Sequence, residues 1–187
     1  MSASTIIGDV TQTLEHVLRV RQQPANLFDV SLLSPIDENV TPGMRPRVNL
    51  FLLRLQEHPF GRNRDWEPSG FGEQQYPPLA LNLLYMMTAF ATDRVDESRV
   101  LGEAMRVLHD EAIIRGALLQ GVLVGTSEEL KVDLCQFSLD DLTKIWNAFN
   151  RPLRLTVCYE VRTALIDSLD RRGVTRVTSK IEQWSQI

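Results

Sequence analysis

PPLALNLLYMMTAF (residues 77–90) decides the fold: fourteen residues with no charge, opened by a double proline. Its apolar positions fall on both period-2 faces, Leu79, Leu81, Leu83, Tyr85 and Met87 on one and Ala80, Leu84, Met86 and Phe90 on the other. A strand apolar on both sides is a strand covered on both sides. The stretch is too short to cross a bilayer as a helix, which needs about 20 apolar residues. It therefore predicts the central strand of a sheet with something packed on each face.

Outward from this strand the pattern alternates between helical and extended periods. Ile6, Ile7, Val10, Leu14, Val17 and Leu18 recur at helical spacing, predicting a helix from about Thr5 to Arg21 with Ser2 or Ser4 as N-cap and Pro24 beyond its end. Phe28, Val30 and Leu32 alternate with polar residues, a half-buried strand closed by Pro35. Residues 34–47 hold three prolines and a glycine and predict an irregular loop, and 48–56 (VNLFLLRLQ) predict a second strand. The polar run 57–75 is longer than ordinary structureless connections, which marks it as functional or mobile.

Beyond the central strand, Val100, Leu101, Ala104, Met105 and Leu108 share a helical face within 96–110. Residues 111–126 predict a short helical turn and a glycine-punctuated connection, and 130–134 a strand. Ser138-Leu139-Asp140-Asp141 has the pattern of a capping box, opening a helix expected to bury Leu139, Leu142, Ile145, Trp146 and Phe149. Residues 155–165 alternate as a long strand with one apolar and one mixed face. Strands that do not alternate strictly with helices predict an α+β domain with a mixed, mostly antiparallel sheet flanked by helices. The expected division is a globular domain over 1–168 and a C-terminal arm over 169–187, whose four basic and two acidic side chains make it polar.

The bulk numbers bound the function. A chain of 187 residues, 43% hydrophobic, is long enough for one domain with a real core. A formal net charge of −4 argues against a general nucleic-acid binder. MSASTIIGDV lacks the basic and apolar regions of a signal peptide, so cytoplasmic synthesis is expected. Two cysteines, Cys135 and Cys158, supply neither a disulfide framework nor a four-thiolate site. Cys158 reads as an inert strand residue rather than a nucleophile. His109-Asp110-Glu111 looks like a ligand set, yet neighbours on a helix point about 100° apart and cannot share one metal. No phosphate-binding or dinucleotide motif is present. No catalytic residue, metal ligand or cofactor site is predicted.

One surface feature stands out. Between Arg45 and Arg64 lie five arginines and one acid, Glu57, and the following loop adds Phe60, Trp66 and Phe71. Arginine and aromatic residues together are what protein interfaces enrich. The candidate interface residues are Arg45, Arg47, Arg62, Asn63, Arg64 and Trp66, with Arg171, Arg172, Arg176 and Trp184 from the arm. The competing reading is a solvated loop whose aromatics fold back over the core.

Three blocks, VNLFLLRLQEHPFGRNR (48–64), PPLALNLLYMMTAFATD with SRVLGEAMRVLHDEAII (77–114), and LKVDLCQFSLDDLTKIWNAF with PLRLTVCYEVRTALIDS (130–168), occur in this order. Together they resemble the N-terminal domain of the cap, or tail-terminator, proteins of extracellular contractile injection systems, the phage-tail-like particles of the antifeeding-prophage and Photorhabdus virulence cassette type. The resemblance implies a phage tail-terminator-like fold and a structural role without catalysis. It further implies a homo-hexameric ring on the last sheath and inner-tube rings, in some particles beside a second cap paralogue, with no nucleic acid bound and no membrane insertion. Assembly would be cytoplasmic. The alternatives are a tail-associated adaptor or completion protein near the baseplate, and a small enzyme using Cys158 or His109.

Overall fold

The computed structural model describes residues 5–59, 65–70 and 72–173. The described residues form three α-helices, α1 (Ile6–Arg21), α2 (Arg94–Asp110) and α3 (Leu139–Ala148), and two sheets. The larger sheet has six strands: β1 (Asp29–Ser31), β2 (Arg47–Glu57), β5 (Leu79–Phe90), β6 (Ile113–Arg115), β7 (Glu129–Cys135) and β8 (Thr156–Ile166). Their order is β1-β2-β5-β8-β7-β6, parallel only between β1 and β2. The predicted α+β class with a mixed, mostly antiparallel sheet is the fold observed.

β5 sits inside this sheet, and all ten residues from Leu81 to Phe90 are buried. On one face Leu81, Leu83, Tyr85, Met87 and Ala89 join a large core under α1 and α2. α1 contributes Ile6, Val10, Leu14, Val17 and Leu18, the predicted stripe, and α2 contributes Val100, Leu101, Ala104, Val107 and Leu108. The buried Tyr85 hydroxyl meets Thr11 Oγ1 at 2.8 Å, so its polar tip is satisfied, and burial pushes its pKa up. On the other face Leu84, Met86 and Phe90 join Cys158 and Trp146 in a smaller core under α3.

Cover is unequal on that second face. α3 reaches only the Phe90 end of β5. Towards the other end the face turns polar, with Asn82 Nδ2 donating to Glu160 Oε1 at 3.2 Å and Arg162 paired with Asp133. The strand is thus apolar on both sides where two layers sandwich it, and Asn82 marks where the second layer stops.

Helix starts follow the capping chemistry. Ser138 Oγ accepts from Asp141 N at 3.1 Å, the expected N-cap of α3, and Asp93 caps α2 by accepting from Val95 N at 2.8 Å. Ser2 and Ser4 lie outside the described residues; Thr5 occupies the N-cap position of α1 and donates from Oγ1 to Asp9 Oδ2 at 2.9 Å. Leu139 departs from expectation. At 70% exposed it lies on the solvent side of α3, because the first helical turn projects past the edge of the small core that Trp146 fills.

The second departure is in the polar run after β2. Rather than a structureless loop, Glu67–Gly70 and Glu73–Gln75 form strands β3 and β4, and Arg171–Gly173 adds to them as β9. This three-stranded antiparallel sheet has the order β3-β4-β9. The 111–126 segment also begins as a strand, β6, before two 3₁₀ turns at 116–118 and 121–123. Gly121 is obligatory there: its φ is +61°, and an added Cβ would stand 2.0 Å from Asp9 Oδ1 of α1.

Candidate functional site

The small sheet is where residues picked out separately along the chain come together. Residues 76–78 from β4 to β5 and 167–170 from β8 to β9 join it to the end of the large sheet at which β2 and β8 finish and β5 begins. Glu57, Tyr76, Pro78, Leu79, Ile166 and Ser168 line an open cleft of about 420 Å³ at that junction. Two hydrogen bonds, one from backbone and one from a side chain, hold the approach to β9 besides its ladder. Tyr76 N donates to Asp170 O at 3.0 Å, and Gln75 Nε2 donates to Ser168 O.

Trp66 and Arg172 meet here. The Arg172 guanidinium lies 4.1 Å from the centre of the Trp66 ring, and Trp66 packs edge-on against Tyr76 at 5.3 Å between centroids. Arg172 also donates through Nε and Nη2 to Gln74 Oε1, at 3.2 and 3.1 Å. The arginine is thereby held by a ring against its face and an amide at its Nε–Nη2 edge. A planar cation stacked on indole keeps its edge donors directed outwards. Arg171 is exposed on the same strand.

Arg45 and Arg47 stand at the start of β2. Arg45 pairs with Asp29 at 2.9 Å, and Arg47 lies 3.6 Å from the buried carboxylate of Glu38. Glu38 in turn accepts from Asn49 Nδ2 at 3.0 Å, so these two arginines tie the irregular 34–47 segment to the sheet. Eleven residues of strand, about 33 Å, separate Arg47 from the end where Trp66 and Arg172 stand. Arg62, Asn63, Arg64, Arg176 and Trp184 lie outside the described residues, as do Phe60 and Phe71. Gln74, which positions Arg172 from 98 residues away, and Tyr76, which packs on Trp66, carried no signal in sequence.

Nothing described offers activated chemistry. Burial pushes the Cys158 thiol up to about 11 and raises that of Cys135, with the nearby Glu160 adding to the latter. Such thiols are poor nucleophiles at neutral pH. Among the described residues no three of His, Cys, Asp and Glu converge as a metal site, and no helix is long and apolar enough to cross a membrane. His109 ends α2 close to Arg106, whose guanidinium binds Glu103 and Asp110 and holds the Glu103 carboxyl below its ordinary value.

No protein of curated function matches the chain in sequence. The sheath/tube terminator of an extracellular contractile injection system, PVC, solved in its extended state, superimposes with a TM-score of 0.65 at 20% identity over 100% of this chain. The tube-terminating cap of the anti-feeding prophage superimposes with a TM-score of 0.57 at 17% identity over 95% of it. This chain spans 66% of the first protein's length and 61% of the second's. The family model described as the Pvc16 N-terminal domain matches residues 9–180, and the chain belongs to that family.

Proposed function

We propose that this chain is a structural terminator of a contractile, phage-tail-like injection particle. It ends tube and sheath polymerisation and holds the last sheath ring to the last tube ring. The observation that carries this reading is the fold shared along the whole chain with a sheath/tube terminator. The second solved neighbour is also a terminal cap, so neither match favours an adaptor near the baseplate. Family membership and two thiols whose pKa is raised, that of Cys158 by burial, both favour a role without catalysis.

Six copies of the 21.3 kDa chain would close a ring of about 128 kDa through a head-to-tail interface. Sheath and inner-tube proteins are the partners, beside a second cap paralogue where the particle carries one; nucleic acid and membrane insertion have no part, and assembly is cytoplasmic. In this reading 1–168 form the ring body and 169–187 the arm that reaches a neighbour, its first residues seated on β4 as β9. The contact residues are Arg62, Asn63, Arg64, Trp66, Arg171, Arg172, Arg176 and Trp184, while Arg45 and Arg47 contribute from the far end of β2.

The test is the double variant Arg62→Glu and Arg64→Glu, expressed with the rest of the particle. It is expected to fold with an unchanged unfolding midpoint and to be lost from purified particles. Normal attachment of that variant would remove this segment from the interface.

A further inference from the structure

The only two cysteines in the chain stand directly opposite each other. In the antiparallel ladder between β7 and β8, Cys135 pairs with Cys158, 23 positions later in sequence. Residues opposite one another in such a ladder have Cα atoms about 4.5 or 5.5 Å apart, depending on the hydrogen-bonding phase. Both values fall inside the roughly 4.4–6.8 Å that a disulfide spans. The Cβ atoms of opposed residues, about 4.5–5.5 Å apart, need to close by about 1 Å to reach the disulfide range. The position allows that adjustment. This pair is the last in the β7–β8 register, and the chain leaves the sheet at Gln136.

We propose that Cys135 and Cys158 form a latent disulfide site, closed by a low-molecular-weight disulfide such as oxidised glutathione, that staples the end of β7 to β8 beneath α3. Both side chains face the small core, Cys158 buried within it and Cys135 packed at its margin. The segment between them carries α3 and the buried Trp146. Closing the bond therefore pins both ends of the excursion that covers the second sheet face.

The chemistry balances in two exchanges. Cys135, the more accessible, loses its proton, and its thiolate attacks one sulfur of oxidised glutathione, releasing one glutathione thiolate and leaving a mixed disulfide. Cys158 then loses its proton and attacks Cys135 Sγ, expelling the second glutathione. Two thiols are oxidised and one glutathione disulfide is reduced to two thiols. Burial of both groups makes the closure slow at neutral pH, so the site survives reduced through ordinary handling.

The test treats the folded, full-length chain with oxidised glutathione and reads free thiols, intact mass and non-reducing peptide maps. The expected result is loss of both free thiols, a mass lower by about 2 Da for the two hydrogens removed, a linked Cys135–Cys158 peptide pair and a higher unfolding midpoint. The Cys135→Ser variant is expected to keep its mass and its midpoint under the same treatment. A stable glutathione adduct at Cys135, an interchain dimer, or two persistent thiols under conditions that fully oxidise the urea-unfolded chain would each overturn the proposal.

Discussion

Along β5, ten consecutive residues from Leu81 to Phe90 are buried, whereas all three residues of β9 face solvent. The six-stranded sheet coheres because its side chains leave water, and each fully buried large apolar group contributes about 1.5–3 kcal/mol. Among the described residues the three-stranded sheet contributes none to the buried apolar clusters. Its strands read Glu-Pro-Ser-Gly, Glu-Gln-Gln and Arg-Arg-Gly, and its side-chain links are a stacked arginine, an amide and an edge-on aromatic pair. One sheet holds the fold; the other presents groups with little to lose when a partner replaces water. The proposed terminator role would use both, kept apart so that contact surfaces vary without unfolding the body.

The most severe way to probe the first region is Trp146→Ala. Trp146 is 1% exposed, and its indole nitrogen donates to Thr156 Oγ1 at 3.1 Å. Its removal is expected to cost about 3–5 kcal/mol in denaturant unfolding. A loss under about 1 kcal/mol would show that the α3 side contributes little.

Gly121→Ala probes how α1 seats on the body. The left-handed backbone and the approach to Asp9 predict a loss of about 2 kcal/mol, read from the urea midpoint. Acid should then loosen the junction of α1 and α2. Arg106 and the amide of Gln23 hold the Glu103 carboxyl below its ordinary value of 4.5. A lowered carboxyl pKa adds stability that is present above the unfolded value and disappears as pH falls through the folded one. The unfolding midpoint should therefore decline below about pH 4.5, and Glu103→Gln should flatten that decline.

The smallest effect on stability belongs to the second region. Arg172→Ala removes a stacked, solvent-facing cation and should change folding by less than about 1 kcal/mol. The same variant is expected to reduce the chain's occupancy on purified particles. If Arg172→Ala unfolded the protein as Trp146→Ala does, the contrast between the two sheets would fail.

What was legible in sequence follows the same division. The large sheet and its helices could be read because burial writes itself as periodicity: the α1 stripe, the two-sided β5, and Ser138 before α3. The small sheet could not be, because three- and four-residue polar strands leave no hydrophobic period. Their partners, Gln74 and Arg172, are 98 positions apart. Leu139 misled for a related reason, since it fits the helical period of α3 but lies past the edge of what α3 covers. The arginines of 45–64 read as one patch in sequence, but β2 spreads Arg47 and Arg54 along its length, with Arg45 just before it, while Arg62 and Arg64 lie outside the described residues. Trp66 and the Arg171-Arg172 pair were each marked by composition alone, and only the fold shows that Trp66 and Arg172 form one structure.

The most direct test of the terminator role is negative-stain microscopy of particles from cells lacking this chain, beside cells in which it is restored. The account predicts tubes and sheaths of uncontrolled length, or particles that fail to assemble stably, with normal length regained on restoration. Particles of normal length with an ordinary closed end in the deleted cells would contradict it.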